Sequence, residues 1–152
     1  MEETVKRNAD KLFRTAVAVM GCKTDAEDIV QDVFLKLLEK QPDFESPAHE
    51  TAWLIRVTVN MCKTRLRSRL YRRKKTVSLL GDYPAQNDGQ HELIETVLSL
   101  PSKYRTAIHL FYYEGYSTKE IADITSQKES TVRSQLTRAR YTLKKYLEEE
   151  QP

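Results

Sequence analysis

Ser130, Arg133, Ser134, Thr137, Arg138 and Tyr141 recur at i, i+3, i+4, i+7, i+8 and i+11, with Thr131 at the edge of the row. A helix through them gathers guanidinium forks, hydroxyls and a phenol on one stripe, a set of donors and acceptors suited to base edges and phosphates. The other side of the same helix repeats Val132, Leu136, Ala139, Leu143 and Tyr146 or Leu147 at the 3.6-residue period of a buried face. Something must hold that face in place. Upstream, Ser117 and Glu120 have the spacing of a capping box, which fixes where a shorter helix begins. Ile121, Ala122 and Ile124 then point inward, and small Ala122 permits a close crossing. Glu114 to Leu147 therefore reads as a short helix, a three-residue turn and a long second helix, the layout of a DNA-reading helix-turn-helix. The plainer reading is an amphipathic hairpin whose basic face is only solvated. It requires the turn spacing and the Arg and hydroxyl stripe to coincide by chance.

Two further constellations precede this segment. In the helix opened by Thr24-Asp25-Ala26-Glu27, read as a second capping box, Ala26, Ile29, Val30, Val33, Phe34, Leu37 and Leu38 form a broad apolar face. Asp28, Gln31, Asp32 and Leu35 lie away from it. A leucine among carboxylates on an exposed face points to a partner rather than to water. In the next helix, about Thr51 to Arg69, Arg56, Asn60, Lys63 and Arg67 repeat at i, i+4, i+7 and i+11 and continue into Arg69, Arg72, Arg73, Lys74 and Lys75. From Thr51 through Gly81 there are nine Lys or Arg and no Asp or Glu, a tract that attracts a polyanion, most simply nucleic acid.

Composition bounds the class. The chain has 152 residues, 31% of them charged, four Gly, five Pro and a net charge of +3, a composition that favours an all-α protein and a length that allows one medium domain or two small ones. The first helix is expected from Asn8 to Gly21, with Gly21 stopping it; Gln41 to Glu50 is expected to be a loop. The first domain spans 1–75 and the second 91–152. Between them 76–90, with Gly81, Pro84 and Asn87-Asp88-Gly89, reads as a flexible linker. A helix to Ser99 and another starting at Pro101 lead into the helix-turn-helix. Cys22 and Cys62 show neither CxxC nor a nearby His, and read as small buried hydrophobes in a reducing cytoplasm. No long apolar run and no signal peptide is evident, so a cytoplasmic protein without membrane insertion is expected.

With both domains in view, the chain resembles the sigma factors of bacterial RNA polymerase, specifically the extracytoplasmic-function group of the sigma-70 family. The resemblance rests on DAEDIVQDVFLKL (Asp25 to Leu37), AWLIRVTVN (Ala52 to Asn60) and LPSKYRTAIHL, GYSTKEIADI and STVRSQLTRAR (between Leu100 and Arg140), in this order and around a linker. It implies a two-domain protein that binds core RNA polymerase through Asp28, Gln31, Asp32 and Leu35. The −35 element would be read by Ser130, Thr131, Arg133, Ser134, Thr137, Arg138 and Tyr141. The −10 element would be held by Phe44, Ser46, His49, Trp53, Arg56, Asn60, Lys63 and Arg67. In the family the Asp43 to Glu50 loop receives a flipped base, which needs a pocket to offset the cost of unstacking. An anti-sigma factor is the further partner implied; no cofactor, metal or catalytic residue is.

This chain departs from the wider family in having Trp53 followed by Leu54, where housekeeping relatives carry adjacent aromatic wedges. Thr137 and Lys128 also stand where relatives differ, so base preference does not carry over. A stand-alone helix-turn-helix regulator would explain residues 100 to 147 but leave the acidic and basic helices without a task. An enzyme finds no support: Asp25, Glu27, Asp28 and Asp32 lack a His partner and a phosphate-binding Gly-rich loop.

Overall fold

A computed structural model describes residues 2–68 and 96–150, and among them every regular element is helical. The expected linker at 76–90, the basic run at 69–75 and the start of the helix before Ser99 lie outside the described residues. Backbone contacts divide the chain into two compact units, Met1–Val77 and Ser78–Pro152.

The first unit packs three helices, α1 (Glu2–Met20), α2 (Lys23–Lys40) and α3 (Pro47–Leu66). α1 begins six residues before the expected Asn8, because nothing in its first turns breaks a helix and Glu2 and Glu3 suit its positive end. Its far end agrees with expectation: Gly21 takes φ 76, and its N–H closes on Val17 O at 2.6 Å. The capping box at Thr24 is not formed. Cys22 is the extended N-cap (φ −147, ψ 129), its carbonyl accepts from Ala26 N at 3.1 Å, and Thr24 lies inside the first turn. Once Gly21 has reversed the chain nothing prevents Lys23 from turning helical, and an earlier start leaves fewer unpaired backbone groups.

Buried Ala26, Ile29, Val33 and Leu37 of α2 meet Leu12, Ala16, Val17 and Met20 of α1 and Leu54, Ile55, Val59 and Cys62 of α3 in one core. Leu38, expected inside, is 49% exposed; it sits in the last turn, past the edge of the packed stripe. α3 starts at Pro47, not Thr51, so the last four residues of the expected loop, Pro47 to Glu50, are helix. Ser46 is its N-cap and accepts from His49 N, while Pro47 occupies the first turn, where a missing N–H costs nothing. α3 ends at Leu66 with Arg67 as its C-cap, short of Arg69.

Polar contacts fix how α1 meets the start of α3. Buried Asn8 accepts from Thr51 Oγ1 at 2.7 Å and donates to Thr4 O at 2.8 Å. Glu50 pairs with Arg7 at 2.9 Å and accepts from Thr4 Oγ1 at 3.3 Å. These bonds compensate the burial of polar groups and set the height at which the first turns of α3 stand.

Cys62 is buried, and burial pushes its thiol up to about 12, with Asp25 adding to the effect and Arg65 opposing it. Since the thiolate is the reacting form, an alkylating reagent at about pH 8 is expected to label half-buried Cys22 and spare Cys62. Mass spectrometry should count one adduct on the native protein and two after unfolding; two adducts on the native protein would refute this account of the core.

The second unit carries a helical turn at 96–98, α4 (Ser102–Ile108), a π-helical turn (His109–Tyr113), α5 (Thr118–Thr125) and α6 (Glu129–Glu150). Buried Arg105 of α4 donates through Nη1 to Leu100 O at 3.0 Å, holding the turn before Pro101 against the helix. The π turn was not anticipated. Its widened ring, with Glu114 N on His109 O at 3.0 Å, brings His109 Nε2 within 2.8 Å of Glu114 Oε2, both side chains being almost fully buried. Tyr113 stacks on the His109 ring at 5.2 Å, and the Tyr116 phenol is pushed up by burial and by the charges of Glu114 and Glu120.

Candidate nucleic-acid interface

α6 is aimed by α5. Ser117 accepts from Glu120 N at 3.1 Å while Glu120 Oε1 accepts from Ser117 N at 3.0 Å, so the expected capping box is present and fixes the start of α5. The helix leaves through Ser126 in the left-handed region (φ 54), and Gln127 N closes on Ala122 O at 2.9 Å. Lys128 O then receives Thr131 N and Val132 N, giving α6 its first turn without a side-chain cap. Ile121, Ala122 and Ile124 of α5 and Val132, Leu136 and Ala139 of α6 are buried together. Leu143 and Leu147 are half-buried and Tyr146 is exposed, because the helix runs past the body it packs on.

With the inner face occupied, Ser130, Thr131, Arg133, Ser134, Thr137, Arg138 and Tyr141 are all exposed, Tyr141 at 69%. Two of them have partners in the protein. Thr137 Oγ1 donates to Arg133 O at 2.9 Å, leaving its oxygen as an acceptor. Arg133 Nη1 lies 3.1 Å from Glu129 Oε1. On the far flank Arg140 bonds the Tyr112 hydroxyl and lies over the Phe111 and Tyr112 rings, at 5.6 and 5.4 Å.

In the first unit the structure brings Phe44, His49 and Trp53 together. Phe44 meets His49 edge-on at 5.4 Å and Trp53 at 5.7 Å. His49 Nδ1 accepts from Glu45 N at 3.1 Å, which fixes the ring, and Ser46 is committed to capping α3. Trp53 is half-buried rather than presented as a free wedge. Arg56, Asn60 and Arg67 are exposed along one side of α3, with Lys63 half-buried among them. The Lys63 ammonium is held below its ordinary range by burial and then by the like charge of Arg67. An anion at this stripe would relieve that repulsion.

On α2, Asp28, Gln31, Asp32 and Leu35 are exposed as a group, Leu35 at 60%. Sequence reasoning missed what stands over them. Arg65 of α3 reaches across, with Nη1 at 4.0 Å from Asp25 and 3.8 Å from Asp28, and Nη2 at 3.7 Å from Asp32. Helical phase could have found it, because at 100° per residue Arg65 lies on the side of α3 opposite Arg56, Asn60, Lys63 and Arg67. A groove of about 400 Å³ is lined by Ile29, Asp32 and Lys36 of α2 and by Asn60, Thr64 and Arg65 among others of α3.

No cluster of metal-ligating side chains occurs among the described residues, and no described helix is long and apolar enough to cross a membrane. The family model for Sigma-70 region 2 matches residues 4–71, and that for Sigma-70, region 4, matches 90–143. The chain is 31% identical to the ECF RNA polymerase sigma factor SigE of Mycolicibacterium smegmatis over 96% of its own length and 61% of that protein's. It is 30% identical to the RNA polymerase sigma factor SigZ of Bacillus subtilis, over 80% of this chain and 72% of that one. Among solved structures, the sigma factor RpoE of Bartonella quintana, crystallised with the anti-sigma factor NepR, superposes with a TM-score of 0.78 at 26% identity. That match covers 99% of this chain and 98% of the other. The chain belongs to the sigma-70 family, within the extracytoplasmic-function group of RNA polymerase sigma factors.

Proposed function

We propose that this protein is an alternative sigma factor that joins core RNA polymerase and directs it to promoters, without catalysing a reaction of its own. The observation that carries the reading is the separation of tasks along one chain. An exposed acidic and leucine-bearing face on α2, a cationic stripe on α3 and an Arg and hydroxyl stripe on α6 belong to segments that match two sigma regions in order. In this reading Asp28, Gln31, Asp32 and Leu35 meet a basic element of the polymerase. Ser130, Thr131, Arg133, Ser134, Thr137, Arg138 and Tyr141 read the −35 duplex. Arg56, Asn60, Lys63 and Arg67 track the phosphates of the −10 strand beside the Phe44, His49 and Trp53 rings. Ser46 acts indirectly, by starting the helix that presents them.

Residues 76–90 act as the tether between domains 1–75 and 91–152; the spans matched by the two family models stop on either side of most of it. Each domain alone offers a small cationic footprint, so selective binding requires core polymerase to hold both at promoter spacing. The protein works in the cytoplasm beside the polymerase. An anti-sigma factor, the kind of partner found on the RpoE relative, regulates it.

Multi-round transcription with purified core polymerase tests this. Core plus this protein is expected to initiate at defined starts on genomic DNA, where core alone does not. Failure to do so, with tight sequence-selective DNA binding by the free protein at physiological salt, would favour a stand-alone regulator.

A further inference from the structure

Arg133 is held from two helices. Its Nη1 pairs at 3.1 Å with Glu129 Oε1, one turn nearer the start of α6, and the same oxygen accepts a hydrogen bond from Thr118 Oγ1 of α5 at 2.9 Å. An exposed i, i+4 pair alone restrains an arginine only loosely. Here the carboxylate is itself anchored across the turn of the helix-turn-helix, so the guanidinium is referenced to the supporting helix as well as to its own. One of five N–H donors is used, which leaves enough for a two-pronged contact with a base edge.

The same arrangement has a cost. Glu129 puts a negative charge at the end of α6 that would face DNA, where it repels phosphates whatever the sequence. A residue kept only to strengthen DNA binding would not be acidic. An acid that orders the base-reading fork while weakening every complex widens the gap between correct and incorrect sites.

We propose that Glu129, anchored by Thr118, is a positioning residue that sets base selectivity through Arg133 at the expense of general DNA affinity. This rests on the reading of α6 as the −35 contact. Glu129 does not touch the base; it fixes the direction from which Arg133 does.

The test uses the full-length protein with core polymerase on promoter DNA randomised across the −35 element, at two salt concentrations. Arg133→Ala should abolish preference at one base position. Glu129→Gln should lower discrimination at that same position about five- to tenfold. It should also raise affinity for non-promoter DNA by about threefold or more, because a repulsive charge is gone. Thr118→Val should lower discrimination at that position without the gain in affinity. In the Arg133→Ala background, Glu129→Gln should leave the base profile unchanged. Circular dichroism of each variant checks that the helices persist. If wild type and Arg133→Ala behave as described while Glu129→Gln and Thr118→Val keep full discrimination, the positioning role is overturned. If Glu129→Gln weakens binding equally on all sequences, it is overturned as well. No base preference in the wild type would refute the reading of α6 itself.

Discussion

Replacing His109 by alanine is expected to unfold the Ser78–Pro152 unit at physiological temperature while leaving Met1–Val77 folded. His109 and Glu114 form a 2.8 Å pair whose side chains are 1% and 2% exposed, and the widened turn between them exists in the form that brings them together. Removing one partner of a buried pair destabilises by about 3–5 kcal/mol, because the polar group that remains loses a close contact that water cannot replace there. A domain of this size has little more than that in reserve. At roughly 4–8 °C per kcal/mol, the transition of this unit should fall by more than about 10 °C. The chain supplies its own discriminating probe, since its one tryptophan is Trp53 in the first unit. Trp53 fluorescence should melt as in the wild type, while far-UV circular dichroism loses a large share of helix early. His109→Gln, which keeps a donor for Glu114, should lose less. A His109→Leu, Glu114→Leu double variant should recover part of the loss, since apolar replacement of both partners takes the polar groups out of the interior. A fall of less than about 1 kcal/mol in His109→Ala would show that the pair carries little of the unit's stability.

Why this pair escaped sequence reasoning is instructive. His109 and Glu114 are five residues apart, and an α-helix places neighbours at three and four. Only the π turn closes that spacing, and HLFYY carries no glycine, proline or cap to announce it. The helix-turn-helix, by contrast, was legible because each of its features is local. The Ser117 and Glu120 capping box, the three-residue turn and the period of Val132, Leu136 and Ala139 all act within a few residues, and all are present. Local signals also misled where two competed. Thr24 to Glu27 has the letters of a capping box, but Gly21 and Cys22 had already turned the chain, so the helix starts on Cys22 instead. Ser46-Pro47 is as good a helix start as any in the chain, yet two prolines close together read as loop.

The same distinction governs the candidate sites. Apart from Leu38, the side chains exposed on the candidate faces of α2, α3 and α6 follow from periodicity, and every member of the α6 stripe is exposed as expected. What those side chains touch does not follow from periodicity. Helical phase puts Arg65 on the side of α3 away from its polar stripe, but that it meets the acidic face, and that Thr118 meets Glu129, is set by how two helices cross. The basic tract of α3 shows the limit: Arg65, counted among its cations but off the stripe of Arg56, Asn60, Lys63 and Arg67, faces away from them and toward three aspartates.

Asp32→Arg is expected to lower affinity for core polymerase by about 2 kcal/mol or more, roughly thirtyfold, with native helicity retained. The substitution places a guanidinium where a basic partner must approach, and leaves Leu35 exposed but next to the wrong charge. It also removes an internal contact, since Asp32 stands 3.7 Å from Arg65. That second effect is small in itself, because both side chains are substantially exposed and water screens them, so folding should survive. The two effects can be separated from the other end of the contact. Arg65→Gln removes the brace to Asp25, Asp28 and Asp32 while leaving the acidic face of α2 intact. If the acidic face docks on a basic element, Arg65→Gln binds core with close to wild-type affinity. If Asp32 matters only by bracing α2 against α3, Arg65→Gln is as defective as Asp32→Arg and the docking assignment fails. Raising salt should shrink the difference between wild type and Asp32→Arg, as screening weakens the attraction that only the wild type gains.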